Sequence, residues 1–319
     1  MGQRLYYPDI CKFLAIFFVT CAHSAQAISG QIWTQFLGGR SLDIAFEMPL
    51  FMLMSGWFIN IDAIREGSFL HFFKKKFYRL IVPMLCWYGI FCAIAGKVPG
   101  LAVITFYWYL SALFVCLMII ALFAKIIRNN LAVILISMIV VLLCPYSDCD
   151  KVNFMFPFIW AGYGLRRVVE SRHAMKFTVC CCIASVVMGV FWNHTYTVYC
   201  APFDLFNMDA ERFMVCLYRF AIGCSMSMVI IYLAKRFEQH EVMQRMASLG
   251  RYSLPIYTCS SVLNYLLGKF LANFLWQTNE YVLLDIMSII ACCGIIAVTI
   301  WLCNLSKKNR KISLLIMGE

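Results

Sequence analysis

The sequence predicts an all-α polytopic membrane protein, and its composition, its apolar runs and its charge pattern each support this fold class. Hydrophobic residues make up 63% of the chain and charged residues only 13%, whereas a soluble globular domain is about 45–50% apolar. The mean hydropathy is +0.79, and apolar runs recur along the whole length. Hydrocarbon offers no hydrogen bonds to a backbone, so a helix, which satisfies its own, is the expected spanning element.

Ten apolar runs match or fall somewhat short of the ~20 residues that a helix needs to cross ~30 Å of hydrocarbon. The short runs 130–144 and 152–165 require tilt, kinking at Pro157 or burial against neighbours. We therefore expect about ten transmembrane helices in one membrane domain over residues 1–319, with no appended soluble domain. The expected spans are 8–27, 41–60, 81–96, 102–124, 130–144, 152–165, 174–192, 213–234, 252–275 and 281–304.

The distribution of basic residues predicts the orientation of the bundle. Most of the 27 Lys and Arg residues fall on one side if the N-terminus is inside, so the positive-inside rule predicts that both termini are cytoplasmic. The net charge of +11 is then juxtamembrane charge that faces anionic lipid or an anionic cytoplasmic ligand. No basic domain indicates a nucleic-acid partner. The expected location is the inner (plasma) membrane.

The 17 cysteines lie mostly inside the expected spans and have no metal-ligand spacing. A thiol in such a place behaves as a small hydrophobic group, so we expect no metal cofactor. Cys149 and Cys200 fall in predicted outer loops, and the sequence leaves their oxidation state open.

Four ionisable side chains lie inside the expected spans: Lys12, His23, Glu47 and Arg219. A charged side chain at the membrane centre costs about 2.5–3.5 kcal/mol on insertion scales, so such residues are candidates for function. Lys12 and His23 are about three helical turns apart, which puts them on one face of the first helix, ~16 Å apart along it. That face is expected to line a path, with Lys12 at the inner end and His23 near the outer end.

Glu47 is expected to lie at the depth of His23 on the adjacent antiparallel helix. A carboxylate beside an imidazole can hold its tautomer and raise its basicity, as a general-base pair requires. Arg219 reaches a comparable depth and could balance Glu47 or hold an anionic substrate. The structural alternatives are that the buried pairs only fix helix register, and that Lys12 only pairs with Asp9 one turn earlier.

Six segments resemble the integral-membrane acyltransferases of acyltransferase family three, in the order that the family has them. The first helix is similar to the family's pattern of an Asp, a basic residue three positions later and a His eleven positions after that. The matching segments are Asp9, Lys12 and His23; FEMPLFMLMSGWFI at 46–59; KKKFYRLIVPM at 74–84; YWYLSALFV at 107–115; FPFIWAGYGL at 156–165; and LGRYSLPIY at 249–257.

Two positions depart from the family pattern. The basic residue of the first helix is often Arg in the family and is Lys12 here, which keeps the charge but loses the planar fork of a guanidinium. The His that commonly follows the Ser-Leu-x-Ile-Tyr segment is replaced, and Cys259 and Ser260 stand there.

The resemblance implies transfer of an acyl group, most often acetyl from acetyl-CoA, to a hydroxyl of an extracytoplasmic sugar or glycopolymer. It implies His23 as general base, with Glu47 and Lys12 as further catalytic residues. The partners would be acyl-CoA, a carbohydrate acceptor and membrane lipid. Basic residues of the inner face suit the phosphates of acyl-CoA, although the positive-inside rule alone also predicts them; they are Lys74, Lys75, Lys76, Arg79, Arg166, Arg167 and Arg251.

Acceptor binding is expected to use Arg219 and acidic residues near the outer rim, where carboxylates can accept hydrogen bonds from sugar hydroxyls. Asp43 and Asp285 are the first candidates, while solvated loop charge explains Asp204 and Asp209 better. Asp9 and Trp108, which belong to the matching segments, complete the expected substrate-binding set.

Three alternatives stay open from the sequence. His23 could form a covalent acyl-histidine rather than act as a base. The buried charges could serve a transporter or flippase of a lipid-linked sugar or small molecule. The protein could also be a non-catalytic membrane scaffold, in which case replacing His23 would be silent.

Overall fold

A computed structural model describes residues 5–30, 42–144, 151–193, 196, 210–271 and 281–318. Over these ranges the chain forms helices and no β-strand. The α-helices are α1 (Tyr7–Ser29), α2 (Glu47–Trp57), α3 (Ile61–Glu66), α4 (Phe69–Lys76), α5 (Val82–Ala95), α6 (Val103–Phe106), α7 (Trp108–Ile126), α8 (Asn130–Leu143), α9 (Val152–Val169), α10 (Ala174–Val190), α11 (Ala210–Phe237), α12 (Glu241–Gly250), α13 (Ser253–Leu271), α14 (Tyr281–Ser306) and α15 (Arg310–Met317).

Each of the ten predicted segments contains a helix, so the all-helical class is confirmed. Within the described part of the chain, five helices are long and apolar enough to cross a membrane by length and composition. They are Tyr7–Ser29, Phe69–Ala95, Trp108–Ile126, Ala210–Phe237 and Val282–Ser306. That all ten segments cross the bilayer, and that both termini are cytoplasmic, stay predictions.

Helix α1 is the central element of the bundle, because it packs against α2, α11, α12, α13 and α14. Its N-terminus carries Pro8 in the first turn, where a missing N–H costs nothing. The carboxylate of Glu238 accepts hydrogen bonds from the backbone N–H groups of Tyr6 and Tyr7 at 2.9 and 3.1 Å. An anion at this position satisfies unpaired donors and complements the helix dipole.

Two glycines allow α2 and α9 to approach closely. A Cβ on Gly56 would overlap the carbonyl of Ile159, and a Cβ on Gly162 would overlap the carbonyl of Leu53. Only glycine permits such backbone contact without displacing a helix. Helix α9 also continues through Pro157 to Val169, four residues beyond its predicted end. Of the three ways in which the short run 152–165 could fit the bundle, the structure therefore shows burial against α2.

The segment between α4 and α5 is a π-helical turn over Phe77–Ile81. Pro83 has no N–H to donate, and its ring crowds the carbonyl four residues earlier, that of Arg79. The backbone N–H of Val82 bonds instead to the carbonyl of Phe77, so the wide turn absorbs the proline. Turns of this kind are frequent at functional sites.

Four short helices were absent from the sequence prediction: α3, α4, α12 and α15. Each carries polar and charged residues that interrupt the apolar runs on which the span prediction relied. Three begin at side-chain N-caps: Asn60 accepts from the N–H of Ala63, Ser68 from that of His71, and Asn309 from that of Lys311.

Trp57 and Trp87 fall near the ends of expected spans, where tryptophans are common in a membrane interface, but both are buried within the bundle. Trp57 is 1% exposed and donates from Nε1 to the hydroxyl of Tyr7 at 3.0 Å. Trp87 is 5% exposed. A buried indole usually finds a hydrogen-bond partner, so composition alone does not separate buried tryptophans from interfacial ones.

Candidate active site

A cavity of about 620 Å³ opens at the end of the bundle that carries the start of α1, and we call it the basic cavity. Helices α1, α2, α7 and α13, the π-helical turn, and the ends of α14 and α15 form its wall. Its residues are Asp9, Lys12, Phe51, Met54, Ser55, Phe58, Lys76, Arg79, Leu80, Tyr109, Leu110, Leu113, Leu117, Gly250, Arg251, Tyr252, Ser253, Leu254, Pro255, Tyr257, Lys307 and Met317.

The lining carries five cationic side chains and one carboxylate, that of Asp9. Lys12 forms the expected pair with Asp9, with Nζ 3.2 Å from Oδ1. Its ammonium also lies 5.6 Å from the ring centroid of Phe58. Pairing with Asp9 therefore does not remove Lys12 from the cavity. The excess of positive charge in a partly enclosed space favours a polyanionic ligand.

Lys307 is a cavity residue that the sequence did not identify as a ligand-binding candidate. Its Nζ lies 2.8 Å from the hydroxyl of Tyr252 and 3.3 Å from Oδ1 of Asn304. In the sequence it was one of many cations after the last span. Only the packing of α14 beside the start of α13 brings it to the cavity, so no local pattern could have singled it out.

The deep part of the basic cavity is aromatic. Tyr109 contacts Phe51 and Tyr257, with ring centroids 5.5 and 5.7 Å apart. The hydroxyl of Tyr107, next to this group, donates to the carbonyl of Thr258 at 2.7 Å. The cavity therefore combines a cationic mouth with an apolar floor, which fits a ligand that has a charged head and a neutral tail.

The structure divides the predicted phosphate-binding residues into two groups. Lys76, Arg79 and Arg251 line the basic cavity, whereas the other four do not. Lys74 and Lys75 are exposed on α4. On α9, Arg166 pairs with Glu170 at 3.3 Å, and Arg167 lies over the ring of Tyr163. These four side chains do not line the cavity, so their place in a donor site stays a prediction.

His23 lies on α1 at the other end of the predicted path. Its side chain is exposed although α1 packs against five other helices. We call the space at this ring the His23 opening. Nδ1 lies 3.1 Å from Oε1 of Gln26. An amide oxygen can only accept, so Nδ1–H donates and the lone pair of Nε2 is available to take a proton.

The expected contact between Glu47 and His23 is wrong, because no hydrogen bond or ion pair joins them in the structure. The hydrogen-bond partner of the His23 ring is instead Gln26.

Between Lys12 and His23 the shared face of α1 is closed. Ala15, Ile16 and Val19 occupy the intervening positions of that face and are 0%, 0% and 2% exposed. The basic cavity and the His23 opening are therefore separate spaces in this structure. The expected path between them is not open.

Asp43, Glu47 and Arg219 form a buried charge cluster at the far end of the bundle, with exposed fractions of 0%, 8% and 1%. The charge of Arg219 interacts with both carboxylates, and Asp285 interacts with Asp43. Arg219 donates to the carbonyl of Ile44 at 2.9 Å. Both carboxylate oxygens of Asp43 and Oε2 of Glu47 lack a hydrogen-bond partner of good geometry. Unused acceptors of this kind suit a ligand that brings hydroxyl groups.

Other expected residues lie elsewhere. Trp108 begins α7 with the ammonium of Lys151 5.4 Å from its ring centroid, and it is not in the cavity wall. Cys259 and Ser260, which replace the family's late His, are 0% and 2% exposed and reach neither opening. Asp204, Asp209, Cys149 and Cys200 fall outside the described residues.

Five of the six sequence segments quoted above meet in the basic cavity. Gly250 of LGRYSLPIY packs so tightly on the carbonyl of Asp9 that a Cβ would overlap it, which holds this segment against the start of α1. The remaining segment, 156–165, does not line the cavity. It contributes Gly162, which packs against the backbone of α2. Residues distant in sequence thus form one site.

A family model described as an acyltransferase domain matches residues 5–305. The chain belongs to acyltransferase family three. It is also similar to the nodulation protein NolL of Mesorhizobium japonicum, with 25% identity over 169 residues, which is 46% of this chain and 45% of that protein. The match thus spans less than half the length of that relative. No solved structure matches the chain.

The match to an acyltransferase domain favours a membrane acyltransferase over a transporter or a scaffold. In the described part of the chain, no group of three or more His, Cys, Asp or Glu side chains could hold a metal ion.

Proposed function

We propose that this acyltransferase moves an acyl group, most simply acetyl, from cytoplasmic acyl-CoA to a hydroxyl of an extracytoplasmic sugar or glycopolymer. The observation that carries the proposal is the basic cavity, where five family segments meet and present five cations. Acyl-CoA is a polyanion with a thin neutral arm, which matches the cationic mouth and the aromatic floor.

The donor phosphates would bind at Lys12, Lys76, Arg79, Arg251 and Lys307. Each of these side chains can donate charge-assisted hydrogen bonds to phosphate oxygens. The pantetheine arm would lie along the aromatic floor, so that the thioester points towards the far end of α1. Asp9 would hold the ammonium of Lys12 in place rather than touch the donor.

His23 would act as the general base at the far end. Its Nε2 takes the proton of the acceptor hydroxyl while the hydroxyl oxygen attacks the thioester carbonyl. A carbon–oxygen bond forms, the carbon–sulfur bond breaks, and the proton passes from the imidazolium to the CoA thiolate. Gln26 keeps the proton of the neutral ring on Nδ1 and so leaves Nε2 basic.

The closed face between Lys12 and His23 makes opening of the bundle a separate step. Ala15, Ile16 and Val19 are buried, so the thioester cannot reach His23 until the neighbours of α1 move away from these residues. Conformational steps of this kind set the turnover rate of many enzymes.

The acceptor would bind next to the buried charge cluster. The carboxylate oxygens of Asp43 and Glu47 would accept hydrogen bonds from sugar hydroxyls, and Arg219 would balance their charge. Asp285, which interacts with Asp43, would complete this polar wall. A carboxylate-rich wall rejects anionic acceptors, so a neutral sugar is the expected class.

The test is release of CoA by purified protein in vesicles that contain acetyl-CoA and a polysaccharide acceptor. We expect His23→Ala to lose activity and the matched control His71→Ala, which changes an exposed histidine of α4, to keep it. Near wild-type activity of His23→Ala would overturn the role of His23. If the wild-type protein released CoA from none of the acyl-CoA compounds tested, the proposal that acyl-CoA is the donor would be overturned.

A further inference from the structure

Helix α15 presents two different faces. Ser313 and Met317 are 8% and 5% exposed and face the protein. Ile312 and Leu315 are each 44% exposed and lie nearly one turn apart on the outer side. Arg310 and Lys311 at its start, and Lys308 just before it, are also exposed.

The segment 307–318 contains four cations and no acidic residue. An exposed apolar pair beside a cluster of cations is the pattern of a helix that lies in a membrane interface. The cations attract the anionic headgroups of the leaflet, while Ile312 and Leu315 enter the apolar boundary. An acidic protein surface would match the charges but not the apolar pair, so charge and apolarity together select a lipid surface.

The chain lines the basic cavity on both sides of α15. Lys307, three residues before the helix, and Met317, in its last turn, belong to the cavity wall. The helix also packs on α5 and the π-helical turn, and Trp87 donates from Nε1 to the carbonyl of Ile316 at 3.4 Å. Movement of α15 would therefore change the shape of the cavity.

Gly318 ends α15 directly against the π-helical turn. It has a φ of 73°, a conformation that favours glycine. A Cβ at this position would lie 2.5 Å from the carbonyl oxygen of Arg79. The end of the helix and the backbone of a phosphate-binding candidate are thus in contact.

We propose that α15 docks on anionic lipid of the adjacent leaflet, and that this docking holds the basic cavity in the shape that binds the acyl donor. The inference rests on the proposed donor site. It goes beyond that site because it makes donor affinity depend on the charge of the membrane.

The experiment compares protein reconstituted in phosphatidylcholine vesicles with and without phosphatidylglycerol. CoA release is measured against acetyl-CoA concentration. We expect phosphatidylglycerol to lower the donor KM of the wild-type protein several-fold and to leave kcat nearly unchanged. Added salt should weaken the effect, since exposed charges are screened.

The variant Lys308→Gln/Arg310→Gln/Lys311→Gln removes three exposed cations that do not line the cavity. We expect it to match the wild-type protein in phosphatidylcholine and to lose the response to phosphatidylglycerol. The matched control Arg128→Gln/Arg172→Gln/Lys176→Gln removes three exposed cations away from α15, two from loops and one from the start of α10, and should keep the response. An equal loss in both variants would mean a general charge effect and would overturn the role of α15.

Gly318→Val tests the link between the helix and the cavity. Its side chain would separate α15 from Arg79, so we expect a raised donor KM in both lipids and no response to phosphatidylglycerol. Circular dichroism and size-exclusion chromatography check that the variant is folded. A normal response in folded Gly318→Val would overturn the proposed coupling.

A second readout needs no donor. Amide hydrogen exchange of residues 310–317 should slow in phosphatidylglycerol vesicles, because docking stabilises the helix. Slower exchange together with no CoA release would leave α15 docking intact and overturn the proposed function.

If CoA is released but exchange and donor KM are equal with and without phosphatidylglycerol, the proposed docking of α15 alone would be overturned. A response to soluble glycerol phosphate equal to that of vesicles would overturn docking on a membrane surface.

Discussion

Nδ1 of His23 lies 3.1 Å from Oε1 of Gln26, one turn further along the same helix. This contact replaces the carboxylate partner that the sequence predicted for the histidine. An amide oxygen holds the tautomer without placing a negative charge beside the ring, so Nε2 of the neutral imidazole stays available.

The first prediction concerns Gln26. Gln26→Leu should lower kcat, but by less than loss of the base, since only the orientation of the ring is lost. Gln26→Glu should move the acidic limb of the pH–rate profile to higher pH, because a carboxylate stabilises the protonated ring and the neutral base then forms only at higher pH. An unchanged profile in Gln26→Glu would mean that Gln26 does not act through His23.

The second prediction ranks His23 and Glu47. Loss of a general base typically costs ~10²–10⁴-fold in rate, so His23→Ala should fall in that range. Glu47→Gln should cost less, because Glu47 does not contact the histidine and its acceptor oxygens are partly kept by the amide. The measurement is the turnover number of each variant at saturating acetyl-CoA. A larger loss for Glu47→Gln would make Glu47 the base.

The third prediction concerns donor binding. Lys307→Met and Lys12→Ala should raise the KM for acetyl-CoA and leave the KM for the acceptor nearly unchanged, since both cations line the basic cavity. Lys12→Arg should keep activity if positive charge is what matters. The matched control is Lys74→Met, an exposed lysine outside the cavity wall. A KM increase in Lys74→Met equal to that in Lys307→Met would argue against a defined phosphate site.

The fourth prediction tests the close crossing of α2 and α9. Gly162→Ala adds a methyl group that overlaps the carbonyl of Leu53, and overpacking of this kind costs about 1–3 kcal/mol. We expect a lower thermal unfolding temperature in detergent. Gly164→Ala, two residues away with nothing within 4 Å of its Cβ, should be neutral. Equal stability of the two variants would contradict the crossing.

The sequence predicted the helical segments well, because each is a long apolar run and the membrane imposes that pattern directly. It missed α12 and α15, since these helices contain charges that end such runs. Nor does the sequence show that Trp57 is buried. Burial within a bundle and exposure to lipid select the same apolar residue types, so hydropathy does not reveal which side faces inward.

Site residues that a local sequence pattern marks could be predicted, whereas residues brought to the site by packing could not. Lys12 and His23 were found because both are costly in a membrane span and belong to the first of the quoted segments. Lys307 was missed because its role depends on packing between distant helices. The error at Glu47 came from comparing depths alone, since two side chains at one depth on neighbouring helices need not touch.

The last prediction concerns sidedness. The positive-inside pattern predicts that the basic cavity faces the cytoplasm, and His23 lies ~16 Å further along α1 from Lys12. The phosphates of the donor cannot follow the acyl group through an apolar bundle, since burying such charge is prohibitive. The acceptor should therefore meet the acyl group at the far end, while CoA stays on the side from which it came.

Sealed vesicles of known orientation test this directly. With acetyl-CoA on the side of the basic cavity, an impermeant polysaccharide should be modified only when it is on the opposite side. CoA should accumulate on the donor side. Val19→Trp, which enlarges a buried residue between the two openings, should block transfer and leave acetyl-CoA binding nearly intact. Modification of a polysaccharide confined to the donor side would overturn the predicted sidedness and the route from Lys12 to His23.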